Sequence, residues 1–245
     1  MNNINFHPLE QFEIVFLGYY YNIPVTNYFI YLILVYFVIL FLFGFAVLNI
    51  RIIPYNFQNF IELIYNFVFN LMKQQLGSYG YVYFPIIFTL FLFLIVSNLV
   101  GMALYSFTLT SYVTVAFTLS FSFWIAAVII GILIQKKAFV YTFIPSGAPA
   151  VLLPFLVVIE IISYISRPFS LGIRLFANMM SGHTLLAILS SFTFSISQKN
   201  IFVTLIPFTL IVAIVGLEVM IAVLQAYVFV ILVCIYLNDS IQGSH

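Results

Sequence analysis

Two apolar runs, about Ala150 to Phe192 and about Ile201 to Asn238, follow one another with only the polar string SISQKN (Ser195 to Asn200) at their junction. Each is about twice the ~20 residues that a helix needs to cross a hydrocarbon core of about 30 Å. In lipid every backbone N–H and C=O must be paired within the protein, which leaves helices or closed barrels. The runs lack the alternation of a barrel strand, so they are helices. At about 1.5 Å per residue the first would measure about 60 Å, so it must tilt or curve, with Pro154 and Pro168 as bending points. The second, with Pro207 in its early turns, is also too long to cross upright.

The rest of the chain fits this class. Residues are 65% hydrophobic and only 5% charged, against about 25% charged in soluble domains. A net charge of +1 gives no footing for nucleic acid, and the single cysteine, Cys234, excludes an internal disulfide and reads as packing. The many Phe and Tyr residues suit an AT-rich, organellar genome. The opening MNNINFHPLEQFEIVFLGYYYNIP has no basic n-region and no small-residue cleavage site, so no cleaved signal peptide is expected.

One membrane domain over residues 1–245 is expected, all α-helical. A first span covers 27–49. Residues 54–75 form an amphipathic helix: Phe57, Phe60, Ile61, Ile64, Phe67, Val68 and Leu71 recur at helical spacing, and Asn59, Glu62, Asn66, Asn70 and Lys73 take the other face. With proline in its first turn, it is predicted to lie in the interface. A helix hairpin follows over 84–135, dotted with the small and weakly polar residues that let membrane helices approach. After a Pro/Gly loop at Tyr141 to Pro149, residues 150–239 form the long tilted hairpin.

That hairpin carries the candidate site. Glu160, Arg167 and Arg174 follow at intervals of seven, which keeps them in one stripe of a helix. Asn178 and Ser181 extend the stripe, and His183 falls on roughly the opposite face. The last helix contributes Glu218, Gln225 and Asp239. In an antiparallel hairpin, residues at one height have position numbers with a constant sum, here about 400. Arg174 is then level with Gln225, His183 with Glu218, and Glu160 with Asp239. Histidine and carboxylate exchange protons near neutral pH, whereas arginine stays charged. Protonatable groups on both sides of a permanent cation describe two incomplete proton paths separated by an electrostatic barrier.

The structural alternative makes Arg174 an interhelical strut, Glu160 a neutraliser of Arg167, and His183 with Glu218 a buried packing pair. Three stacked tiers weigh against it, because polar pairs between membrane helices contribute only about 0.6 kcal/mol on average. No two imidazoles or thiolates lie at ligand spacing, so neither a metal nor any other cofactor is expected. There is no G-x-x-x-x-G-K-[ST] and no Rossmann fingerprint, so the chain does no ATP chemistry by itself.

SLGIRLFANMMSGHTLL, with IEIISYISRP before it, GLEVMIAVLQAYVF after the turn and PLEQFEI near the start, resembles subunit a of the F-type ATP synthases in its mitochondrial form. The likeness covers nearly the whole chain. It implies a stator subunit forming two offset proton half-channels against a rotating ring of c subunits, which supply a carboxylate in trans. Arg174 would face that carboxylate, with Gln225 and Asn178 beside it. The entry half-channel maps onto His183 and Glu218 and the exit half-channel onto Glu160 and Asp239, with Arg167 auxiliary. Ile173 stands where many members have Leu. The implied partners are the c-ring, the peripheral-stalk subunit b, other Fo subunits, lipid and the translocated proton.

Topology agrees with this. An N-terminus outside and a C-terminus inside place Arg51, Lys73, Lys136 and Lys137 within and Lys199 alone without, as the positive-inside rule requires. In a mitochondrial inner membrane those sides are the intermembrane space and the matrix. The alternatives are a self-contained proton-coupled transporter, for which no inverted repeat or broken helix pair is visible, and a purely structural assembly subunit.

Overall fold

A computed structural model of the chain describes residues 12–20, 23–48, 51, 53–102, 108–136, 139, 152–197 and 201–242. The expected loop at 141–149, together with His7, Glu10, Lys137, Lys199 and His245, lies outside them. The elements in order are β1 (Phe16–Tyr20), β2 (Ile23–Thr26), α1 (Asn27–Leu48), α2 (Asn56–Leu76), α3 (Phe84–Gly101), α4 (Val113–Gln135), α5 (Leu153–Ser197) and α6 (Ile201–Gln242). Among the described residues five helices are long and apolar enough to cross a membrane, namely α1, α3, α4, α5 and α6. The chain is therefore an all-α, multi-pass membrane protein, with one small β-ribbon near its start.

That ribbon is not anticipated in the sequence reading. β1 and β2 pair antiparallel from Phe16 opposite Thr26 to Tyr20 opposite Ile23, with an irregularity between Phe16 and Gly18. Aromatic and β-branched side chains favour the pleat, and a two-stranded ribbon has only edges, where the missing N–H of Pro24 is tolerated.

α2 also starts later than the proline suggests. Tyr55 is the extended residue ahead of it, with φ −70° and ψ 164°, so Pro54 precedes the helix rather than opening it. Val68, Met72 and Leu76, one turn apart, are buried, whereas Glu62, Asn66, Asn70 and Lys73 are exposed. The helix ends at Gly77, whose φ of 60° is the left-handed value that glycine adopts without strain and whose N–H donates to the Lys73 carbonyl. Pro168 and Pro207 lie inside α5 and α6 without ending them. Each leaves a carbonyl one turn earlier without its usual donor.

Two compact units divide the chain. The first comprises Met1–Leu42, Phe93–Tyr112 and Leu175–Ala226. Its apolar centre is Val35, Val96 and Leu109, ringed by Tyr28, Leu32, Phe93 and Tyr112. Lipid provides no hydrophobic drive between helices, so close approach and polar pins decide their packing. Asn98, fully buried, donates through Nδ2 to the Ala222 carbonyl at 3.2 Å and accepts at Oδ1 from the Thr110 hydroxyl at 2.8 Å. Gly101 meets Thr108 so closely that a Cβ there would lie 2.5 Å from the Thr108 methyl.

The second unit comprises Phe43–Leu92, Val113–Arg174 and Tyr227–His245. Its packing is largely aromatic. Tyr65 meets Phe84 edge-on at 4.9 Å and Phe88 at 5.6 Å, and Phe67 lies 5.9 Å from Tyr227. Such edge contacts add about 0.5–1.5 kcal/mol each beyond area burial. Close to the end of α6 the Gln135 amide donates to the carbonyls of Asp239 and Ser240 at 3.1 and 2.8 Å. These belong to the last four residues of the helix, whose carbonyls have no donor within it.

Candidate functional site

Within the first unit, α5 and α6 bring His183 and Glu218 together. His183 Nε2 lies 3.5 Å from Glu218 Oε1, with the side chains 13% and 4% exposed. That separation is long for a hydrogen bond, and neither carboxylate oxygen has a hydrogen-bond partner among the described residues. Burying an ionised carboxylate without hydrogen-bond partners is costly, so this contact adds little to the stability of the helix pair. Gly182 makes the approach possible, because a Cβ there would stand 2.7 Å from Glu218 Oε1. Glycine at this position carries no sequence signal; only the packing reveals it.

One turn nearer the start of α5, Asn178 Nδ2 donates to Gln225 Oε1 at 3.0 Å. Gln225 is buried, and its own Nε2 has no partner among the described residues. Within this unit the amide oxygen of Gln225, the residue expected level with Arg174, thus accepts from Asn178.

Arg174 itself is exposed. Along α5 exposure recurs at Arg174, Ala177, Ser181 and Leu185, three or four residues apart, whereas Leu171, Leu175 and Met179 are buried. The arginine therefore belongs to the outward stripe of its helix. Among the described residues it makes no hydrogen bond and no ion pair.

The second unit holds the remaining charges of the hairpin. The Arg167 guanidinium bridges Glu160 and Asp239, the two carboxylates expected at one height. Its Nη1 donates to Asp239 Oδ2 at 3.0 Å, and its Nη2 lies 3.9 Å from Glu160 Oε1. Tyr164 and Tyr236 present their rings to the same guanidinium at 5.5 and 5.9 Å, within the range of cation–π attraction. Two like charges at one depth would repel, and a cation between them removes that cost. Arg167, taken as auxiliary, is the hub here. Tyr164 stands three residues before it on one helix face, a spacing visible in sequence; Tyr236 has no such signal. Among the described residues no group of three metal-ligating side chains occurs.

The family model described as ATP synthase A chain matches residues 29–238. ATP synthase subunit a of Acanthamoeba castellanii is 43% identical over 246 residues, covering 98% of this chain and 99% of the relative. The subunit a of Marchantia polymorpha is 44% identical, covering 96% and 98%. That of Pelagibacter ubique is 40% identical, covering 98% and 99%. With the match covering most of the chain, including Arg174, His183 and Glu218, the chain belongs to the ATP synthase A chain family.

Proposed function

We propose that the chain is the stator subunit that delivers protons to, and collects them from, the rotating c-ring of an F-type ATP synthase. The observation that carries this reading is Arg174, exposed on α5 and without a hydrogen bond or ion pair among the described residues. A charge at the centre of a membrane helix costs about 2.5–3.5 kcal/mol even on insertion scales, so such residues find partners. The partner is a carboxylate of another subunit, and the family supplies one in the c-ring.

The mechanism follows from what each group does. A proton enters past Glu218 and His183 and neutralises a ring carboxylate. The neutral carboxyl is far cheaper to carry through lipid than its anion. After nearly a full turn it meets the region of Glu160, Arg167 and Asp239 and loses its proton. Arg174 pairs with the ionised site as it passes and repels protons that would otherwise cross directly. Gln225 and Asn178, bonded to each other, line the passage as neutral polar groups. The finer assignments belong to the same proposal: the peripheral-stalk subunit b and other Fo subunits as partners, a mitochondrial inner membrane, the N-terminus in the intermembrane space and α2 in the interface. A self-contained transporter is not favoured, because the family is that of an ATP synthase subunit.

Replacing Arg174 with Lys tests the reading. The charge stays but the planar fork is lost. ATP synthesis by the assembled complex should fall close to zero. Normal synthesis with Arg174→Lys in place would overturn the separator role.

A further inference from the structure

The stretch PLEQFEI near the start of the chain has no part in the proposed mechanism, and its described residues meet the His183–Glu218 pair. Phe12 packs its ring edge-on against the His183 imidazole, with centroids 6.5 Å apart and planes at 73°. The segment is tied at two places. The Tyr112 hydroxyl donates to the Phe12 carbonyl at 2.7 Å. Asn27, the first residue of α1, donates through Nδ2 to the Glu13 carbonyl at 3.0 Å and accepts from the Val15 N–H at 3.3 Å. The Asn27 N–H also donates to the Val15 carbonyl at 3.2 Å.

These ties fix residues 12–15 as a strap. Exposed apolar side chains on a mobile segment would not be held against an imidazole, whereas a strap clamped on both sides of Glu13 presents the Phe12 ring in one place. An imidazole turns about its two side-chain torsions. With Glu218 on one side and the Phe12 ring on another, that freedom is reduced to the orientation in which Nε2 faces the carboxylate.

We infer that Phe12 is a positioning residue for proton entry: held by Tyr112 and Asn27, its ring keeps His183 aimed at Glu218 and shuts bulk water from that side of the imidazole. The inference rests on the proposed proton path. Among the described residues the titratable group in contact with the imidazole is Glu218 on α6; Glu13 and Tyr112 belong to the strap and its tie. Burial first, and then the charge of Glu13, push the Tyr112 phenol above its ordinary range. It therefore remains protonated, and remains the donor to Phe12, throughout the working range of a membrane near neutral pH.

The test measures passive proton conductance, across a pH series, of vesicles carrying the assembled membrane sector. Four variants are compared: Phe12→Ala, Phe12→Tyr, Tyr112→Phe and Glu218→Gln. Phe12→Ala should reduce conductance about tenfold, the order expected when a reacting group loses its aim, and should move the pH of half-maximal conductance. Phe12→Tyr, which keeps the ring, should recover most of it. Tyr112→Phe, which removes only the hydroxyl, should shift the profile the same way by less, and it carries the test if Phe12→Ala does not assemble. A strap that only stabilised the fold would lower the yield of complex and leave the pH midpoint in place, and that result would overturn the inference. Glu218→Gln separates the two levels. Lost conductance there with an unchanged profile in both strap variants defeats the positioning role alone; unchanged conductance in Glu218→Gln defeats the entry path itself.

Discussion

Adding one methyl group at Gly182 should disable the proposed entry pair, His183 and Glu218, while making its helix more stable. An ideal Cβ at that position would stand 2.7 Å from Oε1, 3.0 Å from Cδ and 3.3 Å from Cγ of Glu218. Because three successive atoms crowd the site, rotating the carboxyl group is not enough and the whole side chain must retreat. To regain ordinary contact it moves about 0.7 Å, a large step against a repulsive wall. The Nε2 to Oε1 separation to His183, 3.5 Å at the outset, then changes by a comparable amount. Misplacement on this scale costs about tenfold to a hundredfold in a proton-transfer step. Alanine inside a helix is favoured over glycine by about 1 kcal/mol, so Gly182→Ala should assemble normally. Passive conductance of the reconstituted membrane sector, normalised to the amount of assembled complex, should fall at least about tenfold. Adding Glu218→Asp, shorter by one methylene, should restore part of the flux by vacating the space. Full conductance in assembled Gly182→Ala would show that the carboxylate does not need to lie against α5.

Three further outcomes follow from the other contacts. Asp239→Asn removes the closer of the two ion pairs of Arg167 and leaves the looser Glu160 contact at 3.9 Å; thermal stability should drop by less than about 1 kcal/mol, since the pair is partly exposed, while ATP-driven proton pumping in vesicles should slow. Asn98→Ala removes the bonds to Ala222 and Thr110, and at about 0.6 kcal/mol each this should lower stability by about 1 kcal/mol in a thermal-shift measurement on the purified complex. Exchanging the entry pair as His183→Glu with Glu218→His keeps one imidazole and one carboxylate at the same height, so conductance should exceed that of either single variant; conductance no better than the singles would argue against a shared relay.

The class of this protein was legible in its residues. Apolar runs too long for a soluble core admit only helices in lipid, and the few ionisable groups left inside them stand out because their presence there is costly. The polar residues of α5 and α6 could therefore be named before any coordinate was known. Their exact partners could not. Equal height pairs Arg174 with Gln225 and Glu160 with Asp239, yet Gln225 is bonded by Asn178 and Asp239 by Arg167. Both partners on α5 are displaced towards the turn, and only His183 with Glu218 keeps the expected level. Helical side chains lean towards the N-terminus of their own helix. In an antiparallel hairpin those on the first helix lean away from the turn and those on the second lean towards it. A contact therefore joins a residue nearer the turn on α5 with one farther from it on α6. Position numbers carry heights of backbone, not of side-chain tips. For the same reason the fit of Glu218 over Gly182 and the seat of Phe12 on His183 were decided only in the tertiary structure, where residues remote in sequence come within atomic contact.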